Sequence, residues 1–338
     1  MATLEFCSFR EPVNLRLLIN ANKRLKTIPI EDYSGFLTYL KDVRELLSQR
    51  PSKNLAIILR YSNRRVPWIT PKIAGEMGTK IRDLFDQRFV DLTVSSYRSY
   101  VERRQLQPFL QELIPALRNL TCGLDDLSTF GGASVDRMEL KSWFNRERKN
   151  WYLPYLFDIK AESFICGQVL SLVQLYKSRL PNQPKCKSLE CSVDMDFDVP
   201  PNFYQNVFQE ISEAMPKLQK LKLIGSATQR VSEFEVFSSQ IAEHILQIAK
   251  HANCSTIGDF KVISLDSGSR QMILGSIFEK LKVSDDNVKW NGDHQLMFET
   301  ATTKIFVRFT VSRQEDSISE VGEEDGEEAA ILSRRNGD

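Results

Sequence analysis

The three histidines and six cysteines are the side chains of this 338-residue sequence best suited to metal binding. His251 and Cys254 stand three residues apart, but His244 could join them at one ion only with a fourth ligand from elsewhere in the chain. The paired Cys-x-x-Cys spacing of structural zinc sites is missing. We therefore predict no metal site, and we expect His244 to be a hydrogen-bonded histidine at the edge of a helical apolar stripe.

Carboxylates are plentiful, as in Asp125-Asp126 and Asp285-Asp286, but general acid–base chemistry needs two of them to converge in a pocket. The spacing of these residues gives no sign of such a pair. Gly131-Gly132 lacks the Lys-Ser/Thr that follows the glycines of a phosphate-binding P-loop. The sequence therefore predicts neither a catalytic residue nor a cofactor.

Arginines stand beside aromatic residues in three segments. Arginine pairs with phosphate while aromatic rings stack on bases, so these segments are candidates for binding a partner, either RNA or an acidic protein. Ordinary solvated loops, with arginine stems covering apolar surface, would have the same composition. The candidate partner-binding residues are Arg60, Arg64, Arg65 and Trp68, then Arg98, Arg103 and Arg104, then Trp143, Arg146, Arg148 and Trp151.

A short β-branched or leucine-rich run followed by an amphipathic helix pattern recurs about every 30 to 40 residues, which is typical of a repeat scaffold. Predicted strands begin near residues 55, 90, 119, 188, 219 and 259. Predicted helices include 161–176 and 232–252. We interpret residues 51–280 as a strand–helix array, interrupted by an insertion at about 128–150 that contains Gly131-Gly132.

The two ends of the chain differ from this array. Residues 1–50 are expected to be an N-terminal helical segment, with one helix at 36–47. Residues 281–313 are expected to form an antiparallel β cap, because Asn291-Gly292 suits a hairpin turn and the run Lys304–Val311 alternates like a strand. Residues 314–338 carry nine acidic residues against two arginines and few large apolar side chains, so we expect this tail to be disordered.

Composition bounds the functional class. The net charge is +1, and because the acidic tail contributes −7, the rest of the chain carries +8. Apolar residues make up 42% of the chain, enough for a sizeable core. We find no signal peptide or membrane span in the pattern, and most cysteines stand within apolar runs. These features predict a cytoplasmic or nuclear protein with no membrane partner.

Three runs carry a resemblance to leucine-rich repeats: Leu117–Leu120, Lys187–Cys191 and Met215–Leu223. At the N-terminus the run Cys7–Leu25 resembles the second half of an F-box, with its pattern "nlRlvskrl". The resemblance implies an α/β fold, an irregular leucine-rich-repeat-like strand–helix array with the C-terminal β cap. Proteins that join an F-box to divergent leucine-rich repeats present substrates to a cullin-type ubiquitin ligase. By this resemblance, the candidate residues for binding a Skp1-like adaptor are Leu15, Leu17, Leu18 and Leu25.

Together these patterns favour a non-catalytic scaffold for protein–protein interaction, in one form the substrate-recognition component of a cullin-type ubiquitin ligase. A second hypothesis is an RNA-binding or RNA-associated protein that uses the basic and aromatic loops. A third is an α/β enzyme with an unrecognised site, because strand–helix alternation also fits a wound sheet.

Overall fold

The computed structural model describes residues 2–6, 27–30, 54–59, 70–84, 89–94, 100–141, 153–178, 180, 182–195, 200–228, 234–264, 270–284, 288–290 and 295–311. The strands of this part of the chain are β1 (Ala2–Phe6), β2 (Thr27–Ile30), β3 (Asn54–Leu59), β4 (Phe89–Val94), β5 (Leu117–Gly123), β6 (Ser134–Lys141), β7 (Lys160–Ile165), β8 (Ser188–Asp194), β9 (Lys220–Thr228), β10 (Ser255–Ser264), β11 (Val288–Trp290), β12 (Gln295–Glu299) and β13 (Thr303–Val311). Its helices are α1 (Pro71–Leu84), α2 (Tyr100–Leu113), α3 (Leu153–Asp158), α4 (Leu172–Ser178), α5 (Phe203–Ala214), α6 (Phe234–His251) and α7 (Arg270–Ser284).

The thirteen described strands form one sheet, in the order β2-β1-β3-β4-β5-β6-β7-β8-β9-β10-β13-β12-β11. Neighbours from β2 to β13 are parallel, and the pairs β13–β12 and β12–β11 are antiparallel. Strand–helix–strand connections between parallel neighbours are right-handed, so steps in one direction place successive helices on one face. The predicted α/β class, with antiparallel strands at the C-terminal end, is confirmed.

Local sequence explains where several helices begin. Thr70 caps α1 because its Oγ1 accepts a hydrogen bond from the amide of Ile73 (3.3 Å), and Pro71 occupies the first helical position. α4 begins with a capping box. The Gln174 amide donates to Ser171 Oγ (3.2 Å), while the Ser171 amide donates to Gln174 Oε1 (2.9 Å). These bonds satisfy amides that the first helical turn leaves without intrahelical partners.

The core lies between the sheet and the helices. Alternate residues of β9 are buried, as Leu221, Leu223 and Ala227 show, and the residues between them point away from the helices. On the helical side, Ile241, Ile245 and Ile248 of α6 are buried at helical spacing. From β4 to β13 the sheet therefore has one face covered by described helices and one face on which side chains stay partly exposed.

The region expected to interrupt the array contributes a strand to the sheet. Residues 134–141 of the predicted insertion form β6, which continues the parallel order beside β5. Gly132, at φ +75, lies in the turn that precedes β6. The helix predicted at 161–176 was wrong in its first half, because residues 160–165 form β7 and only 172–178 are α-helical. Ala161 and Phe164 are buried three residues apart, a spacing that favours a helix in the sequence although an irregular strand produces it here.

The C-terminal strands follow the prediction closely. Val288 pairs with Phe298 in the antiparallel hairpin, and β13 buries Ile305, Val307 and Phe309 on one face. Within the predicted helical segment 1–50, residues 2–6 and 27–30 are strands of the sheet. The helix predicted at 36–47, the turn Asn291-Gly292 and the tail 314–338 lie outside the described residues.

Candidate interaction surface

The face of the sheet opposite the helices, which we call the open face, presents one continuous row of side chains. Strand register places one residue from each of nine neighbouring strands in this row. All nine side chains are partly or fully exposed. In spatial order they are Thr93, Thr121, Glu139, Ile165, Glu190, Lys222, Ile257, Lys304 and Glu299.

Ion pairs connect neighbouring strands across this face. Lys222 Nζ lies 3.0 Å from Glu190 Oε2, and Arg308 Nη2 lies 3.1 Å from Asp259 Oδ2. The basic side chains of these two pairs are each 49% exposed. Exposed ion pairs contribute only about 0–1 kcal/mol to stability, so these charged groups can exchange their neighbours for the charges of a binding partner at little cost.

Large apolar side chains lie among these charges. Ile257 is 45% exposed and stands in register between Lys222 and Lys304. Ile224 and Phe306, two residues further along the neighbouring strands, are partly exposed as well. The Lys304 ammonium group is 5.6 Å from the centre of the Phe306 ring. An apolar centre with a charged rim is the usual composition of a protein-binding surface.

Charge is unevenly distributed along the open face. On the three adjacent strands β9, β10 and β13, its basic residues outnumber its acidic ones by five to one. The acidic residue is Asp259, and the basic residues are Lys220, Lys222, Lys261, Lys304 and Arg308. We call the open-face residues of these three strands the basic strip. It includes Ile224, Ile257, Ile263 and Phe306 as its apolar members.

Sequence reasoning missed this surface, although a signal was present. The runs Lys220-Leu-Lys-Leu-Ile224 and Ile257-Gly-Asp-Phe-Lys261 both alternate. Once Leu221, Leu223 and Phe260 are assigned to the core, period 2 places the lysines and isoleucines of these runs together on the opposite face. The parallel register that brings them together depends on tertiary structure.

The partner-binding residues predicted from sequence fall mostly outside the described residues. Arg103 and Arg104 lie in α2, in a turn whose side chains are not described. The others, Arg60, Arg64, Arg65, Trp68, Arg98, Trp143, Arg146, Arg148 and Trp151, lie outside the described residues, as do the candidate adaptor-binding residues Leu15, Leu17, Leu18 and Leu25.

The structure does fix the strand ends that the three basic segments follow in the chain. They follow Leu59 of β3, Val94 of β4 and Lys141 of β6, three of the four successive parallel strands β3 to β6. The carboxyl ends of parallel strands lie at one edge of a sheet. The basic segments therefore leave the sheet from the same edge.

His244 is a core residue, as expected from its position on the helical stripe. It is 2% exposed, and its Nδ1 is hydrogen-bonded to the hydroxyl of Tyr204. Burial raises the pKa of Tyr204 well above its ordinary range, so the phenol keeps its proton. This arrangement links α5 to α6 and has the features of a structural contact.

The described cysteines and histidines show no catalytic or metal-binding arrangement. Within the described ranges no group of three or more His, Cys, Asp or Glu side chains could hold a metal ion. Burial raises the pKa of the Cys186 thiol to about 11 and the pKa values of Cys166 and Cys191 further. A buried thiol with a raised pKa is a poor nucleophile. These three cysteines are buried and pack as core residues.

Among the described helices, none has the length and apolar character needed to cross a membrane. No protein-family model matches the chain. No curated protein is significantly similar to it.

Proposed function

We propose that this protein is a non-catalytic scaffold for protein–protein interaction and that its open face binds the partner. The observation that carries this proposal is the partly exposed apolar centre around Ile257, surrounded by charged side chains on an extended sheet face. Stacked strand–helix units offer extended binding surfaces of this kind.

The size of the open face supports the proposal. The nine strands of its continuous row span about eight inter-strand spacings, or about 38 Å. With about 20 Å along the strands, the face offers about 800 Å², the area that each partner contributes to a standard protein interface. The energy of such interfaces is concentrated in a few central side chains, and Ile257 and Phe306 are the candidates for that position.

A matched pair of variants tests the role of the open face. Ile257→Glu places a charge at its apolar centre, and Met272→Glu places one on α7, where Met272 is 55% exposed. With the full-length chain as bait, we expect partners recovered by the wild type and by Met272→Glu to be lost with Ile257→Glu. Both variants must keep the wild-type circular dichroism spectrum. Equal recovery of every partner by Ile257→Glu would contradict the proposal.

In its finer form, the proposal makes the protein the substrate-recognition component of a cullin-type ubiquitin ligase. Its support is the F-box-like run Cys7–Leu25, which falls between β1 and β2 in the chain. We expect the bait to recover a Skp1-like adaptor and a cullin. The double variant L17E/L18E should lose the adaptor and keep the open-face partner, whereas Ile257→Glu should do the reverse. Reproducible absence of the adaptor, with other partners retained, would remove the ligase form.

RNA binding is a second candidate function, favoured by the common edge from which the segments after β3, β4 and β6 leave the sheet. Phosphate contacts release counterions, so affinity for RNA would fall steeply with salt. We expect a salt titration against random-sequence RNA to give a steep slope that is reduced in R64E/R65E. Undetectable binding at low salt would exclude this candidate.

The enzyme hypothesis has one structural counterpart. Strand order reverses between β1 and β3, because β2 lies beyond β1 whereas β4 to β10 continue in the other direction. Ligand sites of open α/β sheets lie at such switch points. The residues that follow Phe6 and Leu59 there are outside the described part of the chain. The described residues supply no catalytic set for this position.

A further inference from the structure

We propose that the acidic segment 314–338 of this chain binds the basic strip in cis and covers its apolar centre. The contact would make the basic strip a surface for an acidic peptide, with the chain's own segment as its resident occupant. The inference does not depend on the identity of any external partner.

Charge complementarity is the first argument. The basic strip presents five basic residues and one acidic residue, whereas the segment carries nine acidic residues and two arginines. Lys220 and Lys261 are exposed and make no ion pair with another described residue. Lys222, Lys304 and Arg308 have acidic neighbours but are 43–49% exposed, so each keeps donors available to a second carboxylate.

The position of the segment is the second argument. It follows β13, whose last residue, Val311, lies in register beside Ser264 of β10. The segment therefore starts at one end of the basic strip itself. Glu315 follows Val311 by four residues, and Arg308 precedes Val311 by three residues. The first acidic residues are thus only a few residues along the chain from Arg308, which is in register with Lys261 in the last row of the strip that contains cations.

Chain length permits the rest of the contact. The acidic run Glu323–Glu328 begins twelve residues after Val311. A chain of twelve residues reaches at most about 40 Å, and an unstructured one has an end-to-end distance of about 20 Å. The basic strip is about 10 Å wide, two inter-strand spacings, and about 30 Å long. A short connection also gives a linked ligand an effective concentration of about millimolar, so even weak pairing is populated.

Apolar side chains add specificity to this pairing. Ile318 and Val321 stand among the acids of the segment, as Ile257 and Phe306 stand among the cations of the basic strip. Exposed ion pairs are individually weak and are screened over about 8 Å at physiological ionic strength. The contact should therefore be reversible and sensitive to salt, which suits an occupant that an external acidic partner can displace.

Zero-length carbodiimide cross-linking of the full-length chain, read by mass spectrometry, tests the inference. At low salt we expect cross-links from acids 315–328 to Lys222, Lys261 and Lys304, and we expect their loss at high salt. Lys187 and Glu162, an exposed pair 2.8 Å apart, provide the internal positive control. Absence of tail cross-links while this control reacts would overturn the proposal, as would equal cross-linking to Lys72 and Lys250 on the helical side.

Two further measurements make the result specific. The variant K220E/K261E should lower cross-linking of the tail to Lys222 and Lys304 about tenfold, since exposed attractions are replaced by repulsions. The control K72E/K250E, which changes two lysines of α1 and α6, should leave it unchanged. A mixture of isotopically labelled and unlabelled protein should give tail cross-links within one isotopic species. Links between the two species would contradict a contact in cis.

Discussion

The ring of Phe260 occupies the space that a side chain at Gly225 would need. The two residues are in register on β10 and β9, and a Cβ atom at Gly225 would lie 2.9 Å from Phe260 Cδ1 and 3.0 Å from Met195 Cγ. The glycine therefore leaves room for a buried aromatic side chain close to the neighbouring strand. This relationship fixes part of the core beneath the basic strip.

We expect Gly225→Ala to destabilise the protein by about 1–3 kcal/mol, because the added methyl group overpacks the core beside Phe260. The control is Gly275→Ala in α7, where a Cβ would meet no atom within 4 Å. Alanine there should stabilise the helix by about 0.5–1 kcal/mol. Chemical denaturation of both variants measures the difference. Equal stability of the two variants would show that Phe260 can move away at no cost.

Gly78 has a corresponding role between α1 and α2. A Cβ there would lie 2.7 Å from the Phe109 carbonyl oxygen and 2.7 Å from Glu112 Cβ, so the helices would have to separate. We expect Gly78→Ala to cost about 1–3 kcal/mol in thermal or chemical unfolding. In the same helix, the methyl group added by Gly75→Ala would lie 3.7 Å from Pro108 Cβ, an ordinary contact. This variant should have unchanged or higher stability. If Gly78→Ala kept the stability of the wild type, the packing of α1 against α2 would be loose.

The Tyr204–His244 pair should behave as a coupled structural contact. Tyr204→Phe removes the hydroxyl and should cost about 1–3 kcal/mol, because it leaves a buried imidazole nitrogen without this partner. The double variant Y204F/H244L should be less destabilised than the two single losses added together, since both polar groups are then gone. Urea denaturation of the four proteins gives the coupling energy. Additive losses would indicate that the contact is energetically unimportant.

Asp91 should make stability depend on pH. Burial raises the pKa of this carboxyl group above its ordinary value of 3.8, although the Asn119 amide donates a hydrogen bond to Oδ1 (2.7 Å) and partly opposes the shift. The folded state therefore binds this proton more readily than the unfolded state. Protonated Asp91 contributes to the free energy of unfolding, and this contribution is lost as pH rises through the folded pKa.

Asp91→Asn should accordingly melt at a higher temperature than the wild type at pH 7, because it removes the cost of a partly buried charge and keeps an oxygen acceptor for Asn119. The difference should shrink as pH falls through the folded pKa and disappear well below about 4, where the carboxyl group is protonated in both states. Asp83→Asn on the exposed side of α1 serves as the control. A stabilisation by Asp91→Asn that does not change with pH would contradict this assignment.

Elements with long, regular patterns were predictable. The helix expected at 232–252 is α6, Phe234–His251, and the strand expected at 304–311 is β13, Thr303–Val311. Both have a continuous apolar face that a single period describes. β6 and β7 were missed because their buried residues do not alternate regularly, as Val135, Met138 and Leu140 show by their mixed spacing in β6. Pairing with neighbouring strands, which no local pattern shows, makes these segments strands.

The sequence by itself determined the α/β class, the alternation of strands with helices, the place of His244 beside a helical apolar stripe and the asymmetry between a basic body and an acidic tail. These properties are local, because periodicity and composition depend on residues close together in the chain. Tertiary structure alone decided that strands distant in sequence align in register. That alignment gathers Lys222, Ile257 and Lys304 into one surface and brings Gly225 against Phe260. Contacts across a sheet depend on register, and register results from packing of the whole core.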